Sequence, residues 1–504
     1  MAGTCDDGTH PRACVQHAGT AARRSRPEPG PRPRSGTPGS HSRRQFRAVP
    51  FQFAGWYGVP AVYRQHGDSG VIEPVHSIGP GRPRTGGRPA TERRSGVTDN
   101  GGYEVPYPRL GSRFDEAEIS LLTSLLTSTE GLSQGPLRDR FEADFRDYVG
   151  SAHAFSMTSG TVALRLAIQL LGLNPGDEVI VTPQTYNATI QPLLELDVRV
   201  RFCDIDPNTL NIDVDVLRTL ISPRTRAVIL VHYGGLPADM DEIVRLSREH
   251  GFLVVEDAAH ALGAEYRGRR PGSLGDIGCF SFHSTKNITT LGEGGMITFD
   301  RDDWAERVLR WRGNQCDGIY RSLPPSATPI PPVPQALYPE LSYTHECVEV
   351  RYAGTNATMS EPAAGVGRLQ LRKLPELTAR RRSNAGQLDQ TLAALPGARI
   401  QRAPHDVLHA YHLYTFFVDP ESGVDRDRVV ARLRELGVEV WLRYFPLHLL
   451  PEWRRLGHGL GECPVAERLW FGQQINLPCQ PWLGETQIKK MRVALEETFS
   501  EVTA

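Results

Sequence analysis

Residues 252–260 read Phe252-Leu253-Val254-Val255-Glu256-Asp257-Ala258-Ala259-His260, and residues 277–287 read Ile277-Gly278-Cys279-Phe280-Ser281-Phe282-His283-Ser284-Thr285-Lys286-Asn287. Each stretch opens as a short apolar run with the length and residue types of a buried strand, then turns abruptly polar. The first run carries Asp257 to the carboxyl end of a strand, and the second carries Lys286 just past the end of another. In open α/β sheets that edge is where ligands bind.

Outward from these two runs the pattern repeats. Strand signals over 178–181, 199–203, 227–231, 252–256, 277–282 and 295–299 alternate with helical ones over 162–173, 213–220 and 240–249, and helices over 115–126 and 137–149 precede them. Strands alternating with helices predict a largely parallel sheet covered on both faces, the α/β class. A Pro-rich stretch over 323–339 reads as a surface loop. Beyond it a helix is expected from 361 to about 382 and then a polar hinge; strand 412–418, helix 426–436 and strand 438–444 follow in a smaller α+β domain. The expected division is an extension over 1–100, a large domain over 101–365 and a small C-terminal domain over 366–504.

The 504 residues suffice for two or three folded units, and the formal net charge of -1 argues against a protein that holds nucleic acid or membrane by bulk charge. That balance averages unlike parts. Residues 1–100 hold 15 Arg, no Lys and 7 acidic residues, with 12 Pro and 15 Gly, a composition that predicts disorder in a basic head on an acidic body. Within the head, Ser42-Arg43-Arg44-Gln45-Phe46 resembles a twin-arginine export signal, but Arg47, Pro50, Gln52 and Pro60 break the apolar run that should follow. The alternative is that the functional chain begins near 97–101. The 8 cysteines include no Cys-x-x-Cys pair, which predicts a reduced, cytoplasmic protein without structural zinc. No apolar run reaches the ~18 residues of a membrane helix.

Three further features bear on chemistry. Ser159-Gly160-Thr161 opens a helical pattern, so free backbone N–H groups converge there either as a phosphate cradle or as an ordinary helix cap. Asp257 is either a carboxylate facing a ligand or the cap of the next helix. Lys286 stands between an apolar strand and the Gly-rich Leu291-Gly292-Glu293-Gly294-Gly295, where desolvation would make its amine a Schiff-base former in place of a solvated charge. Together and in this order they supply what pyridoxal phosphate requires: an anion site, a carboxylate for the pyridine nitrogen and an amine for the aldehyde.

From Ser159 to Gly295 the chain resembles the fold-type I, pyridoxal phosphate-dependent DegT/DnrJ/StrS aminotransferases, and the likeness extends over about 103–501. The resemblance implies an aspartate-aminotransferase-like large domain with a mostly parallel seven-stranded sheet. It further implies that Lys286 bonds the cofactor and moves the proton, and that Asp257 keeps the pyridine nitrogen protonated. Ser159, Gly160, Thr161 and Ser281 would bind the phosphate, Tyr186 would stack on the ring and His260 would stand near the ring hydroxyl. Asn356, in Gly354-Thr355-Asn356, matches an Asn that reaches the neighbouring subunit's phosphate, which implies a homodimer with shared sites. Thr358 stands where many relatives have Arg.

Lys286 to Gly295, Phe445-Pro446-Leu447-His448 and Gly461-Glu462-Cys463-Pro464-Val465-Ala466-Glu467 look most like the branch that aminates inososes with L-glutamine in aminocyclitol antibiotic assembly. That implies L-glutamine or L-glutamate as donor and a keto-cyclitol such as scyllo-inosose or its 2-deoxy form as acceptor, with His448 either touching substrate or closing a strand end. The alternative acceptor is a nucleotide-linked keto-sugar. A regulatory paralogue without catalysis is the remote alternative, and the presence of both Lys286 and Asp257 speaks against it.

Overall fold

A computed structural model describes residues 102–133, 135–313, 317–322 and 346–503. The Arg-rich head and the Pro-rich 323–339 stretch lie outside the described residues.

Seven strands form the large sheet: β1 (His153–Met157), β2 (Glu178–Val181), β3 (Arg199–Phe202), β4 (Thr225–Val231), β5 (Leu253–Asp257), β6 (Ile277–Ser281) and β7 (Gly295–Phe299). Their order across the sheet is β1-β7-β6-β5-β4-β2-β3, and only β7 runs antiparallel to its neighbours. The seven mostly parallel strands that the resemblance implied are therefore present. β1, which the sequence reading passed over, is the edge strand paired with β7 from His153↔Phe299 to Met157↔Gly295.

Alternate residues of the central strands enter different cores, which is why these segments read as unbroken apolar runs. Val179, Val181, Ile229, Val231 and Val255 pack with the helices Gly160–Leu170 and Asp302–Arg312 on one face. Ile180, Val228, Leu230 and Val254 pack with Val214–Leu220 and Met240–His250 on the other. Near the β6 edge, Phe280 and Phe282 meet Phe141 and Phe145, with ring centroids of Phe145 and Phe280 4.9 Å apart at 81°. Those last two rings belong to the helix Pro136–Val149, whose first turn is capped from far along the chain: Glu361 accepts from the N–H groups of Leu137 at 2.9 Å and Arg138 at 3.0 Å.

The helix that starts at Glu361 runs unbroken to Leu392, through the residues expected to form a hinge. Polar side chains there are taken into the fold instead of breaking the helix. Asn384 is buried and donates to the carbonyl of Gln480 at 2.9 Å, while Ala385, Leu388 and Leu392 join the core of the smaller sheet. That sheet orders Ala398–Ile400, Tyr414–Val418 and Gln474–Leu477 antiparallel about the middle strand, and Glu485–Thr503 packs on it. The strand expected over 438–444 is reduced to single bridges, Val105↔Val438 and Trp441↔Asn476. Its backbone groups are claimed by side chains: the Arg443 N–H donates to Asn476 Oδ1 at 2.7 Å, and its carbonyl accepts from Gln474 and the Tyr233 hydroxyl. Among the described residues no helix is long and apolar enough to cross a membrane.

Candidate active site

The parallel strands present their carboxyl ends along one edge, and the expected site residues gather there. β5 ends in consecutive carboxylates that alternate across the sheet. Glu256 is fully enclosed and accepts from the N–H groups of Gly272 and Leu274, both at 2.8 Å, from Gly275 at 2.6 Å and from His232 Nε2 at 2.8 Å. The N–H of Ala238 donates to His232 Nδ1 at 3.1 Å, which leaves the His232 proton on Nε2. Asp257 turns to the opposite face, the one that carries the helix Gly160–Leu170. It retains 4% exposure, and its Oδ2 accepts from the Thr189 hydroxyl at 2.6 Å while Oδ1 accepts from the Ala259 N–H at 3.0 Å. Neither bond neutralises the carboxylate.

It attracts the ammonium of Lys286. Desolvation draws the Lys286 amine down from 10.5 to about 8, the attraction of Asp257 opposes that fall and the cation of Arg443 adds to it. The structure thus brings the amine and the carboxylate into one electrostatic unit at the ends of adjacent strands. A glycine makes the approach of the chain's N-terminal segment possible. A Cβ on Gly111 would lie 2.2 Å from the Lys286 carbonyl oxygen, and the Gly111 N–H donates to Ser284 O at 2.8 Å, pinning the turn that holds the lysine.

Ser159 caps the helix Gly160–Leu170, its hydroxyl accepting from the Val162 N–H at 3.3 Å. Both readings of this stretch are compatible, because one hydroxyl caps while the remaining N–H groups and the dipole stay available. Gly160 sits hard against β6, where an added Cβ would fall 2.8 Å from the Ser281 Cβ, so Ser281 stands beside the helix N-terminus. Thr161 is exposed on the first turn. Tyr186, in the loop after β2, is 61% exposed and edge-on to Tyr444, with ring centroids 6.3 Å apart at 64°, so it has a free face to offer.

His260 is buried, stacked on His412 at 4.4 Å and on Tyr444 at 5.7 Å, with its Nε2 3.2 Å from the Tyr444 hydroxyl. Burial, reinforced by the nearby cations of Lys286 and Arg443, pushes its pKa well below 6.5, so the ring is neutral. Its Nδ1 has no hydrogen-bond partner among the described residues.

Two expected residues, Asn356 and His448, make other contacts. Asn356 is exposed in a segment bridged to Gly313, beside the Thr158 N–H that donates to Ala357 O at 2.9 Å. Thr358 donates its hydroxyl to Arg312 O at 3.1 Å, a local tie. His448 has 0% exposure; its Nε2 lies 2.8 Å from Glu467, which also accepts from the N–H groups of Gly461 and Cys463. In this structure that imidazole has no surface to offer a substrate.

Thr189, His412, Arg443 and Tyr444 escaped the sequence reading although they line or tune the centre. Arg443 and Tyr444 directly precede the Phe445-Pro446 pair that drew notice, but nothing in their spacing marks them as partners of β5 and β6.

The model of the DegT/DnrJ/EryC1/StrS aminotransferase family matches residues 112–496. The chain belongs to this family. It is 35% identical over 390 residues to GDP-perosamine synthase of Caulobacter vibrioides, covering 77% of this chain and 96% of that protein. With the spore coat polysaccharide biosynthesis protein SpsC of Bacillus subtilis it shares 34% over 401 residues, 78% of this chain and 96% of the other. The aminotransferase TlmJ of Streptoalloteichus hindustanus superposes with a TM-score of 0.68 at 31% identity, over 79% of this chain and 100% of that one.

The protein is a pyridoxal phosphate-dependent aminotransferase. The residues present fit the cofactor on three counts: the coupled Lys286 and Asp257, the glycine-floored N-terminus beside Ser281, and the unpartnered Nδ1 of His260.

Proposed function

We propose that this chain transfers an amino group from L-glutamate or L-glutamine to a keto-sugar carried on a nucleotide, at a centre built on Lys286 and Asp257. What supports the centre is placement: Asp257 ends β5 and Lys286 follows the end of the adjacent β6, so that the carboxylate attracts a desolvated amine. GDP-perosamine synthase, whose name ties it to a nucleotide-linked sugar, supports the acceptor class. The stretches that suggested a keto-cyclitol acceptor are largely accounted for by packing, since His448 and Glu467 bond to each other and Glu467 gathers the 461–463 turn.

Bound pyridoxal phosphate supplies an aldehyde that takes up amines and a ring that accepts electrons. The chain's own residues do the rest. Asp257, oriented by Thr189, holds a proton at the pyridine nitrogen, because a carboxylate in hydrogen-bond range favours the ring cation. Ser159, Gly160, Thr161 and Ser281 hold the phosphate, whose charge the helix N-terminus offsets. Tyr186 covers a ring face, and neutral His260 stands near the ring hydroxyl. Lys286, neutral in an appreciable fraction near pH 7, carries the proton at the reacting carbon. Asn356, exposed, reaches the site of a second copy in a homodimer.

An acceptor screen tests this reading. Nucleotide-linked keto-sugars and inososes are offered with glutamine and with glutamate, and cofactor absorbance is read at each half-reaction. Turnover of the nucleotide-linked sugars is expected; activity confined to scyllo-inosose or its 2-deoxy form would overturn the acceptor assignment.

A further inference from the structure

Beside the Lys286 turn, between it and the smaller sheet, lies a cavity of about 10 Å³ lined by Tyr107, Thr285, Arg381, His412, Arg443 and Gln480. That is room for one water-sized particle. The polar atoms around it are conspicuously unspent. Among the described residues the Tyr107 hydroxyl, Arg381 Nε, both ring nitrogens of His412 and Gln480 Oε1 have no hydrogen-bond partner, and these four residues retain 8%, 1%, 7% and 2% of their exposure. Buried polar atoms are nearly always paired, so five on residues around one space give it the chemistry of a small polar or charged ligand's site.

The charge balance gives the occupant's sign. Arg381 spends its terminal nitrogens on carbonyl oxygens, those of Gly111 at 2.6 Å, Tyr411 at 3.0 Å and Cys479 at 3.5 Å, which accept hydrogen bonds but carry no net charge. Arg443 lies over the ring of Trp441 at 4.0 Å and of Tyr107 at 5.4 Å. Among the described residues no carboxylate stands in ion-pair range of either guanidinium. Burial draws Arg381 down from 12.5 to about 10, in keeping with a cation whose countercharge is absent. A buried, uncompensated charge is costly. Tyr107, Arg381 and one nitrogen of His412 are donors on residues that line the same space, and rotation of the Gln480 amide adds another.

We propose that this cavity binds a single monatomic anion, a halide such as chloride, held by Arg381, Arg443, Tyr107 and His412. Thr285 lines the cavity next to Lys286 in the chain, so an ion there would brace the turn that carries the lysine.

Crystals of the full-length holoenzyme grown with bromide in place of chloride test this directly. An anomalous peak in contact with Arg381 and Tyr107 is expected; a water there with no anomalous signal would overturn the site. In solution, the melting temperature should climb and saturate with chloride or bromide against gluconate at matched ionic strength, and equal melting in all three would count as refutation. Tyr107→Phe removes a hydroxyl that has no partner among the described residues, and it should raise the half-saturating halide concentration on the order of tenfold. An unchanged halide response in that variant would overturn the donor set, and should the variant fail to fold, the bromide map still decides.

Discussion

Lys286 should react as an amine with a pKa of about 8, not as an ordinary lysine near 10.5. At pH 7 about 9% of such an amine is neutral, against about 0.03% for the ordinary one, so the structure places roughly 300-fold more nucleophile at the aldehyde. Cofactor-stripped enzyme can be mixed with excess pyridoxal phosphate across a pH series, fixed with borohydride, and the rate of modification at Lys286 read by peptide mass. Half-maximal rate is expected near pH 8. The neighbours then fix the signs. Asp257 attracts the ammonium and raises the pKa, so Asp257→Asn should move the midpoint down; Arg443 repels it, so Arg443→Gln should move the midpoint up. A wild-type midpoint close to 10.5, or an upward shift in Asp257→Asn, would refute the claim that these groups share one desolvated site.

Other consequences follow from single contacts. Lys286→Ala should abolish turnover while leaving a folded protein, checked by activity and circular dichroism. Gly160→Ala sets a Cβ 2.8 Å from that of Ser281 and should weaken cofactor retention by about tenfold or more, measured by equilibrium dialysis. Glu256→Gln replaces an acceptor of four donors with a group that presents N–H to some of them, and should cost about 2–4 kcal/mol in denaturant unfolding. Thr189→Val deletes the 2.6 Å bond to Asp257 and should lower kcat/KM by about tenfold, with Thr189→Ser restoring most of it.

The sheet was legible because burial on both faces writes itself into the chain as short apolar runs, and the runs at 178–181 and 295–299 coincide with β2 and β7. Asp257 and Lys286 were legible for the same reason, since each follows a run whose end could be read. β1 was missed: His153-Ala154-Phe155-Ser156-Met157 alternates weakly and borrows its place from β7. The continuous helix through 383–392 and the loss of a strand over 438–444 were decided by side chains distant in sequence, Gln480 in one case and Gln474 and Asn476 in the other. For Thr189, His412 and Arg443 the difficulty is the same, because what makes them matter is which strand end they meet, and spacing carries no record of that.

The pair Glu256-Asp257 shows how a two-residue period separates duties. One register step sends Glu256 into a closed shell of three backbone N–H groups and a neutral imidazole, and sends Asp257 toward the face that carries the Gly160 helix and Thr189. Glu256 is spent on holding the 272–275 turn, and that turn leads directly into β6, the strand that ends beside Gly160 and delivers Lys286. The position of the amine relative to Asp257 is therefore set by the carboxylate next to it, acting through backbone and not through charge. Loss of Glu256 should accordingly displace the lysine as well as destabilise the fold, whereas loss of Asp257 should leave β6 in place and change only the electrostatics of the amine.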